Sequence, residues 1–351
     1  MFFVGAGLQA GPSCADEPWP TVSTITVRVR NVFDGARPRE RRFPYTWVNA
    51  LHRPTSPSVI RRELLARVGQ PLRPLALEES ERNLRNMEIF REIVVSSSPD
   101  GPGRAAVDVS VADTWSTVIK VDVNAGGGRT TGSVALTELN LLGTGKHLLA
   151  SYGVELDRIS RGIGYEDPQL FGSRWQAGAG YSDTSDGLAA GGGIWRPYYT
   201  VRDPYFVETA IRHRTLTGRL FKDAVEVSRH EMRSDRATAS ASWRVAGGRD
   251  WALRPGFRYR YEADRFTALP ETQPALFPDD REFHWLLGEV EWVRPRFILD
   301  RRLDKMGRME EVDLGTSLRV VAGLAPARTA PGLLTLNLSQ GAGRRGGPYL
   351  L

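Results

Sequence analysis

The chain has 351 residues, 41% of them hydrophobic, with 36 Gly, 9 Trp and a formal net charge of +6. No stretch approaches the ~18 consecutive apolar residues that a membrane helix needs, and a single cysteine, Cys14, excludes an intramolecular disulfide framework and a multi-cysteine zinc site. Only four of the 47 basic residues are lysine (Lys120, Lys146, Lys222, Lys305), and the basic residues are scattered rather than gathered in a stripe, so no nucleic-acid footprint is expected.

The chain opens MFFVGAGLQAGPSCADEPWP, apolar and small and then abruptly polar. Residues 1–20 are expected to be a secretory-signal remnant, with Ser13-Cys14-Ala15 as a small-x-small cleavage site. Gly5, Gly7 and Gly11 do not make a dinucleotide fingerprint, because too little strand precedes them and Pro12 and Pro18 follow where a helix should run. From Thr24 to Arg30 the residues alternate, with Ile25, Val27 and Val29 on one face, which predicts a half-buried strand. Asn31 to Pro57 is rich in Arg and Pro and reads as a long connection.

Ser56 can cap a helix that has Pro57 at its first position, where the missing N–H is no loss. Ile60, Leu64, Leu65 and Val68 then share a helical face and Gly69 supplies the stop. A second helix is expected from about Leu75 to Phe90, with Leu77, Leu84 and Met87 on one stripe. Glu78, Glu79 and Glu81 suit its N-terminal dipole, and Glu78–Arg82 and Glu81–Arg85 are i,i+4 pairs. Ile93 and Val95 begin a strand, Ser96–Gly103 is a turn-forming tract, and Val107, Val109 and Val111 return the chain.

This β-α-α-β-β order resembles a POTRA (polypeptide-transport-associated) domain over residues 21–115. The matching residues are Val59 to Leu65, Gly69, Glu79 to Arg85, Phe90 to Ile93 and Val107 to Val109. The resemblance implies that Glu92, Ile93, Val94, Val95 and Ser96 offer an open sheet edge. An extended polypeptide can add a strand there, since backbone hydrogen bonds make few demands on sequence.

After Trp115 only strand patterns follow. Leu148 to Asp157, Trp175 to Ser182, Ala237 to Arg244, Phe257 to Glu262 and Leu334 to Ser339 each alternate apolar or aromatic residues with polar residues or glycine. Segments of ~10 such residues are what a membrane-crossing β-strand requires. Trp195, Tyr198, Tyr199, Trp285 and Trp292 cluster near segment ends, as interfacial girdles do. Glu138-Leu139-Asn140-Leu141-Leu142-Gly143-Thr144-Gly145, Tyr165-Glu166-Asp167-Pro168-Gln169-Leu170-Phe171-Gly172, and Arg196-Pro197-Tyr198-Tyr199 with Asp203-Pro204 resemble periplasmic turns of BamA-type barrels, the bacterial surface antigen family. Gly143, Gly145, Asp167, Pro168, Gly172 and Pro197 carry these turn motifs. The family's Val/Ile-Arg-Gly-Phe/Tyr lid-loop motif is not present, because Arg161-Gly162 lies too early.

Residues 116–351 are therefore expected to be the N-terminal part of a transmembrane barrel, truncated at its C-terminus and holding about 11–13 strands. By the resemblance, Val118, Ile119, Lys120 and Val121 lie on one side of the seam between its first and last strands. No catalytic constellation stands out. Gly143-Thr144-Gly145-Lys146 lacks the first glycine and the final Ser or Thr of a phosphate loop, Ser234 replaces the second histidine of a zincin pattern begun by His230-Glu231, and no Gly-x-Ser-x-Gly elbow occurs.

The chain thus reads as mainly β, one POTRA domain followed by an incomplete antiparallel barrel. The expected function is outer-membrane protein assembly or translocation, with no enzyme activity and no cofactor. Expected partners are unfolded outer-membrane or secreted polypeptides, outer-membrane lipid, and periplasmic lipoproteins or chaperones. The competing expectations are export of one dedicated passenger, anchoring of a fused enzyme, and a passive pore.

Overall fold

A computed structural model describes residues 19–33, 35, 38–126, 129–155, 158–270, 272–300, 310–325, 333–340, 342–343 and 349–350. The expected signal remnant, with Cys14, falls outside these residues except for Trp19 and Pro20.

The N-terminal module holds strands β1 (Thr21–Arg30), β2 (Phe90–Pro99) and β3 (Arg104–Asp113), and helices α1 (Tyr45–Leu51), α2 (Pro57–Glu63) and α3 (Pro74–Asn86). β3 is central, parallel to β1 and antiparallel to β2. A parallel neighbour needs a long crossover, and the helices supply it. Ala105, Val107, Val109 and Val111 of β3 meet Val22, Ile60, Leu64, Leu84, Ile89 and Phe90 in one core. Leu77 and Met87 pack at its margin, as the helical stripe predicts.

Four expectations for this module need correction. The Arg- and Pro-rich connection contains a helix, α1, held because Asn49 Nδ2 donates to Phe33 O (2.6 Å) and Tyr45 packs edge-to-face on Phe33. α2 stops at Glu63, not near Gly69, because tertiary partners replace helical ones. The Leu65 N–H donates to Ser80 Oγ (2.8 Å) and the Glu63 carbonyl accepts from Asn83 Nδ2 (3.3 Å), leaving Val68 exposed. Ser56 is the N-cap residue, yet its hydroxyl meets Ser58 Oγ instead of a helical N–H. Finally, α3 ends at Asn86 and β2 runs on to Pro99, so the hairpin tip is residues 100–103.

The rest is one large antiparallel sheet. In chain order it contains β4 (Thr117–Gly126), β5 (Arg129–Glu138), β6 (His147–Val154), β7 (Ile159–Asp167), β8 (Gln176–Thr184), β9 (Gly187–Arg196), β10 (Tyr205–Lys222), β11 (Val225–Trp243), the two-residue β12 (Ala246–Gly247), β13 (Ala252–Ala268), β14 (Arg281–Arg294), β17 (Thr316–Leu324) and β18 (Leu333–Gln340). Twelve of these follow one another from β4 to β18, with β12 paired beside β13. β15 (Phe297–Asp300) and β16 (Glu310–Asp313) form a separate hairpin between β14 and β17. The sheet is open among the described residues, so β4 and β18 are its edges. No described helix is long and apolar enough to cross a membrane, which says nothing about strands.

The register places whole rungs on one face. Ile119, Leu136, Ala150, Ile163, Tyr181 and Ala190 are successive partners from β4 to β9. Ala177, Ile194, Thr209, Ala239, Tyr259 and Leu286 continue the same apolar face from β8 to β14. Many of these side chains are exposed, including Ile119 (65%), Ile163 (57%) and Leu286 (59%). The neighbouring rung, Lys120, Ala135, Ser151, Gly162, Ser182 and Ala189, faces the other way and is small or polar. A soluble sheet would bury the apolar face. This one leaves it uncovered along the ten strands from β4 to β14.

Candidate functional site

Two turns at the same end of the large sheet are built alike. In the first, between β5 and β6, the Asn140 N–H donates to Glu138 Oε1 (2.7 Å), Gly143 N–H to Asn140 O (2.9 Å), and Thr144 Oγ1 to Leu141 O (2.6 Å). In the second, between β7 and β8, the Gln169 N–H donates to Asp167 Oδ1 (3.0 Å), Gly172 N–H to Gln169 O (2.7 Å), and Ser173 Oγ to Leu170 O (2.7 Å). Leu142 and Phe171 occupy matching left-handed positions, with φ of 53° and 51°, and each is followed by a left-handed glycine. The shared pattern is acid-x-amide-Leu-apolar-Gly-hydroxyl.

Each turn inserts its amide residue into the N-terminal module. The Ser56 N–H donates to Gly143 O (2.8 Å), while Asn140 Nδ2 donates to Thr55 Oγ1 (2.9 Å). Thr55 passes the contact on, its hydroxyl donating to Asp113 Oδ1 (2.9 Å) and its N–H to Asp113 Oδ2 (2.8 Å). His52 Nε2 stands 3.0 Å from the same carboxylate. Asp113 is fully buried at the end of β3, four residues before β4 begins. This network is satisfied within itself, the condition under which buried polar groups specify a single arrangement. In the second turn, Gln169 Nε2 donates to the Val59 carbonyl (3.1 Å) and to Glu63 Oε1 (2.5 Å). Burial pushes the Glu63 carboxyl above its ordinary value, opposed by the Gln169 hydrogen bond and the Arg174 charge.

The fit is close at the glycines. A Cβ on Gly143 would stand 2.3 Å from the Pro54 carbonyl oxygen, and one on Gly145 would stand 3.0 Å from Val59 Cγ1. Pro168 and Pro197 line a smaller cavity where α2 and α3 face the turns, together with Glu63, Asn83, Tyr198 and Tyr199. A third contact comes from the β15–β16 hairpin. Arg82 Nε donates to both oxygens of Glu311 (3.0 Å each), Arg85 Nη1 lies 3.6 Å from Glu311, and the Arg82 guanidinium stacks on Phe297. The expected Glu81–Arg85 pair forms at 2.6 Å, whereas Arg82 turns to Glu311.

No family model matches this chain, and no curated protein matches it. Among solved structures it is similar to BamA from Haemophilus ducreyi lacking POTRA domains 1–3, at 10% identity over 94% of this chain and 83% of that one, with a TM-score of 0.42. It is also similar to CdiB from Escherichia coli (14% identity, TM-score 0.44) and from Acinetobacter baumannii (11%, TM-score 0.38), covering 88% and 89% of this chain. The chain spans 55% and 61% of those two CdiB chains.

The turn residues singled out from sequence, Gly143, Gly145, Asp167, Pro168, Gly172 and Pro197, thus all come to the end of the sheet that meets the module. The two edge segments lie elsewhere. Glu92 to Ser96 are on β2, which pairs only with β3 among the described residues, and Val94 is 56% exposed. The opposite edge strand, β1, is partly covered instead: Gly69 N–H donates to Val22 O and Leu72 N–H to Pro20 O, both at 2.8 Å. Val118 to Val121 are on β4, the edge of the large sheet, and all four side chains are exposed. Arg161 and Gly162 lie within β7, not in a loop.

The polar face carries paired charges that no motif announced. Glu289 is held by Arg319 (2.7 Å) and Arg258 (3.6 Å), and Glu291 by Arg254 (3.1 Å). A cavity on this face lies between the glycine-rich β7–β9 wall and Arg212, Arg236 and Arg260. Gly143-Thr144-Gly145-Lys146 joins two antiparallel strands, and Lys146 reaches Asp167 (3.2 Å). The docking residues His52, Thr55, Asp113, Asn140, Gln169 and Glu311 were missed by sequence reasoning. The repeated turn pattern was a usable signal for Asn140 and Gln169 only.

Proposed function

We propose that this chain is an outer-membrane protein that inserts or translocates other polypeptides, with its N-terminal module a POTRA domain in the periplasm. The observation that carries the reading is the uncovered apolar face running through successive rungs of a twelve-stranded sheet. An apolar surface of that extent is stable against hydrocarbon rather than water, and a polar opposite face suits a water-filled interior. The module sits at the turn-bearing end and offers β2 as an unpaired edge. An unfolded client adds a strand to Glu92–Ser96 through backbone hydrogen bonds and is passed toward the exposed strand β4 at Val118–Val121. Client pairing and burial supply the free energy, so the action calls for no nucleotide, cofactor or catalytic group.

Reconstitution tests this directly. Vesicles carrying the full chain should raise the folding yield of an added unfolded barrel protein, read as heat-modifiable gel mobility, over empty vesicles. In cells, depletion should lower folded outer-membrane protein levels. Export of one passenger with barrel-protein levels unchanged would instead favour a dedicated transporter.

A further inference from the structure

A cavity of about 940 Å³ opens on the apolar face at the turn-bearing end of the large sheet. Its floor is made of small residues, Ala177, Ala179 and Gly192, and Tyr165, Ile194 and Ile211 stand around it. Its rim is cationic. Arg62 reaches it from α2 of the module, its guanidinium lying against Gly172, and Lys146 reaches it from the first turn. Lys146 shares its charge with Asp167 (3.2 Å), while Arg62 has no ion-pair partner among the described residues. Phe171 projects at the same rim and is 97% exposed.

We propose that this cavity binds one anionic glycerophospholipid, with an acyl chain along the Ala177–Ala179–Gly192 floor and the phosphate at Arg62 and Lys146. Three features favour this occupant over a peptide or a soluble anion. The floor is apolar and lies in the band that the proposed function assigns to hydrocarbon, so a chain there stays within its own phase. The rim places positive charge at the level where a headgroup begins, and juxtamembrane cations attract anionic lipid headgroups. Phe171 and Tyr165 flank that level as interfacial aromatics do. Because Arg62 belongs to the module and Lys146 to the sheet, the headgroup would bridge the two and add to their docking.

The inference rests on the membrane reading, and its test separates the two. The full chain is reconstituted in vesicles of equal phosphatidylglycerol and phosphatidylcholine, released, and weighed intact by native mass spectrometry. One retained phosphatidylglycerol per chain is expected, with at least a tenfold loss of occupancy in R62Q/K146Q. The variant A179W, which fills the exposed floor and keeps both cations, should lose the lipid as well. Heat-modifiable gel mobility shows that each variant is folded. Undiminished retention in either variant, equal retention of phosphatidylcholine, or displacement by inorganic phosphate would overturn the site. A membrane-inserted chain that retains no lipid refutes only this proposal, whereas a native chain recovered in the aqueous fraction refutes the membrane reading itself.

Discussion

Gly143→Ala and Gly172→Ala form a matched pair that measures how the sheet holds the module. Both glycines have φ near +70° (73° and 72°), so alanine meets the same left-handed backbone penalty in each turn, about 1–2 kcal/mol. Their surroundings differ. At Gly143 the new Cβ would stand 2.3 Å from the Pro54 carbonyl oxygen, a backbone atom that cannot swing aside. At Gly172 it would meet the guanidinium of Arg62 at 3.0 Å, the far end of a flexible side chain. The first turn must therefore withdraw, losing the 2.8 Å bond from Ser56 N–H to Gly143 O and stranding the buried amide of Asn140. A lost hydrogen bond is worth about 1 kcal/mol and an unsatisfied buried group about 1–3 kcal/mol, so G143A should be worse than G172A by about 2–4 kcal/mol of docking free energy. Hydrogen exchange at the Ser56 amide reads this directly. G143A should speed exchange there by at least tenfold, and G172A by much less. Equal effects in the two variants would refute the claim that the Pro54–Gly143 contact holds the module.

Other consequences are open to measurement. Asp113→Ala removes the acceptor for two donors of Thr55 and should destabilise the module by about 2–4 kcal/mol, seen as a lower urea midpoint for tryptophan fluorescence. Glu311→Arg should release α3 from the β15–β16 hairpin, and Arg82→Glu on that background should restore much of the docking, which a cysteine cross-link between the two elements would report. Glu63 has a folded-state pKa raised above 4.5, so its favourable contribution is complete below that value and fades as pH rises through the folded value. Glu63→Gln should therefore flatten the pH dependence of module docking and leave it as strong or stronger near neutral pH, measured by hydrogen exchange across that range. For the β2 edge, an unfolded strand peptide should slow exchange within Glu92–Ser96, and the same peptide with proline at alternate positions should not.

Strand patterns were legible because each residue reports its own face. Ala237, Ala239 and Ala241 against Thr238, Ser240 and Ser242 fix both the strand and its orientation, whatever lies beside them. The helical stripe of Leu77, Leu84 and Met87 was legible for the same reason. What escaped depends on distant partners. α1 forms around Phe33 and Asn49, and α2 ends early because Ser80 and Asn83 take its polar groups. Gln169 and Glu63 are 106 residues apart, and Arg82 and Glu311 are 229 apart. Nothing local to Glu311 says that it will meet a helix. The turn motifs were visible as motifs, yet only the folded chain shows that these loops dock on the module.

Accessibility scanning along β11 tests the central claim most directly. With Cys14 replaced, no native thiol remains, so single cysteines from Arg236 to Ser242 can each carry a spin label in reconstituted vesicles. Labels at 237, 239 and 241 should collide mainly with oxygen dissolved in hydrocarbon, and labels at 238, 240 and 242 mainly with a water-soluble nickel chelate. Uniform contact with the nickel chelate, or contact without a two-residue period, would contradict a sheet with one face in lipid and the other in water.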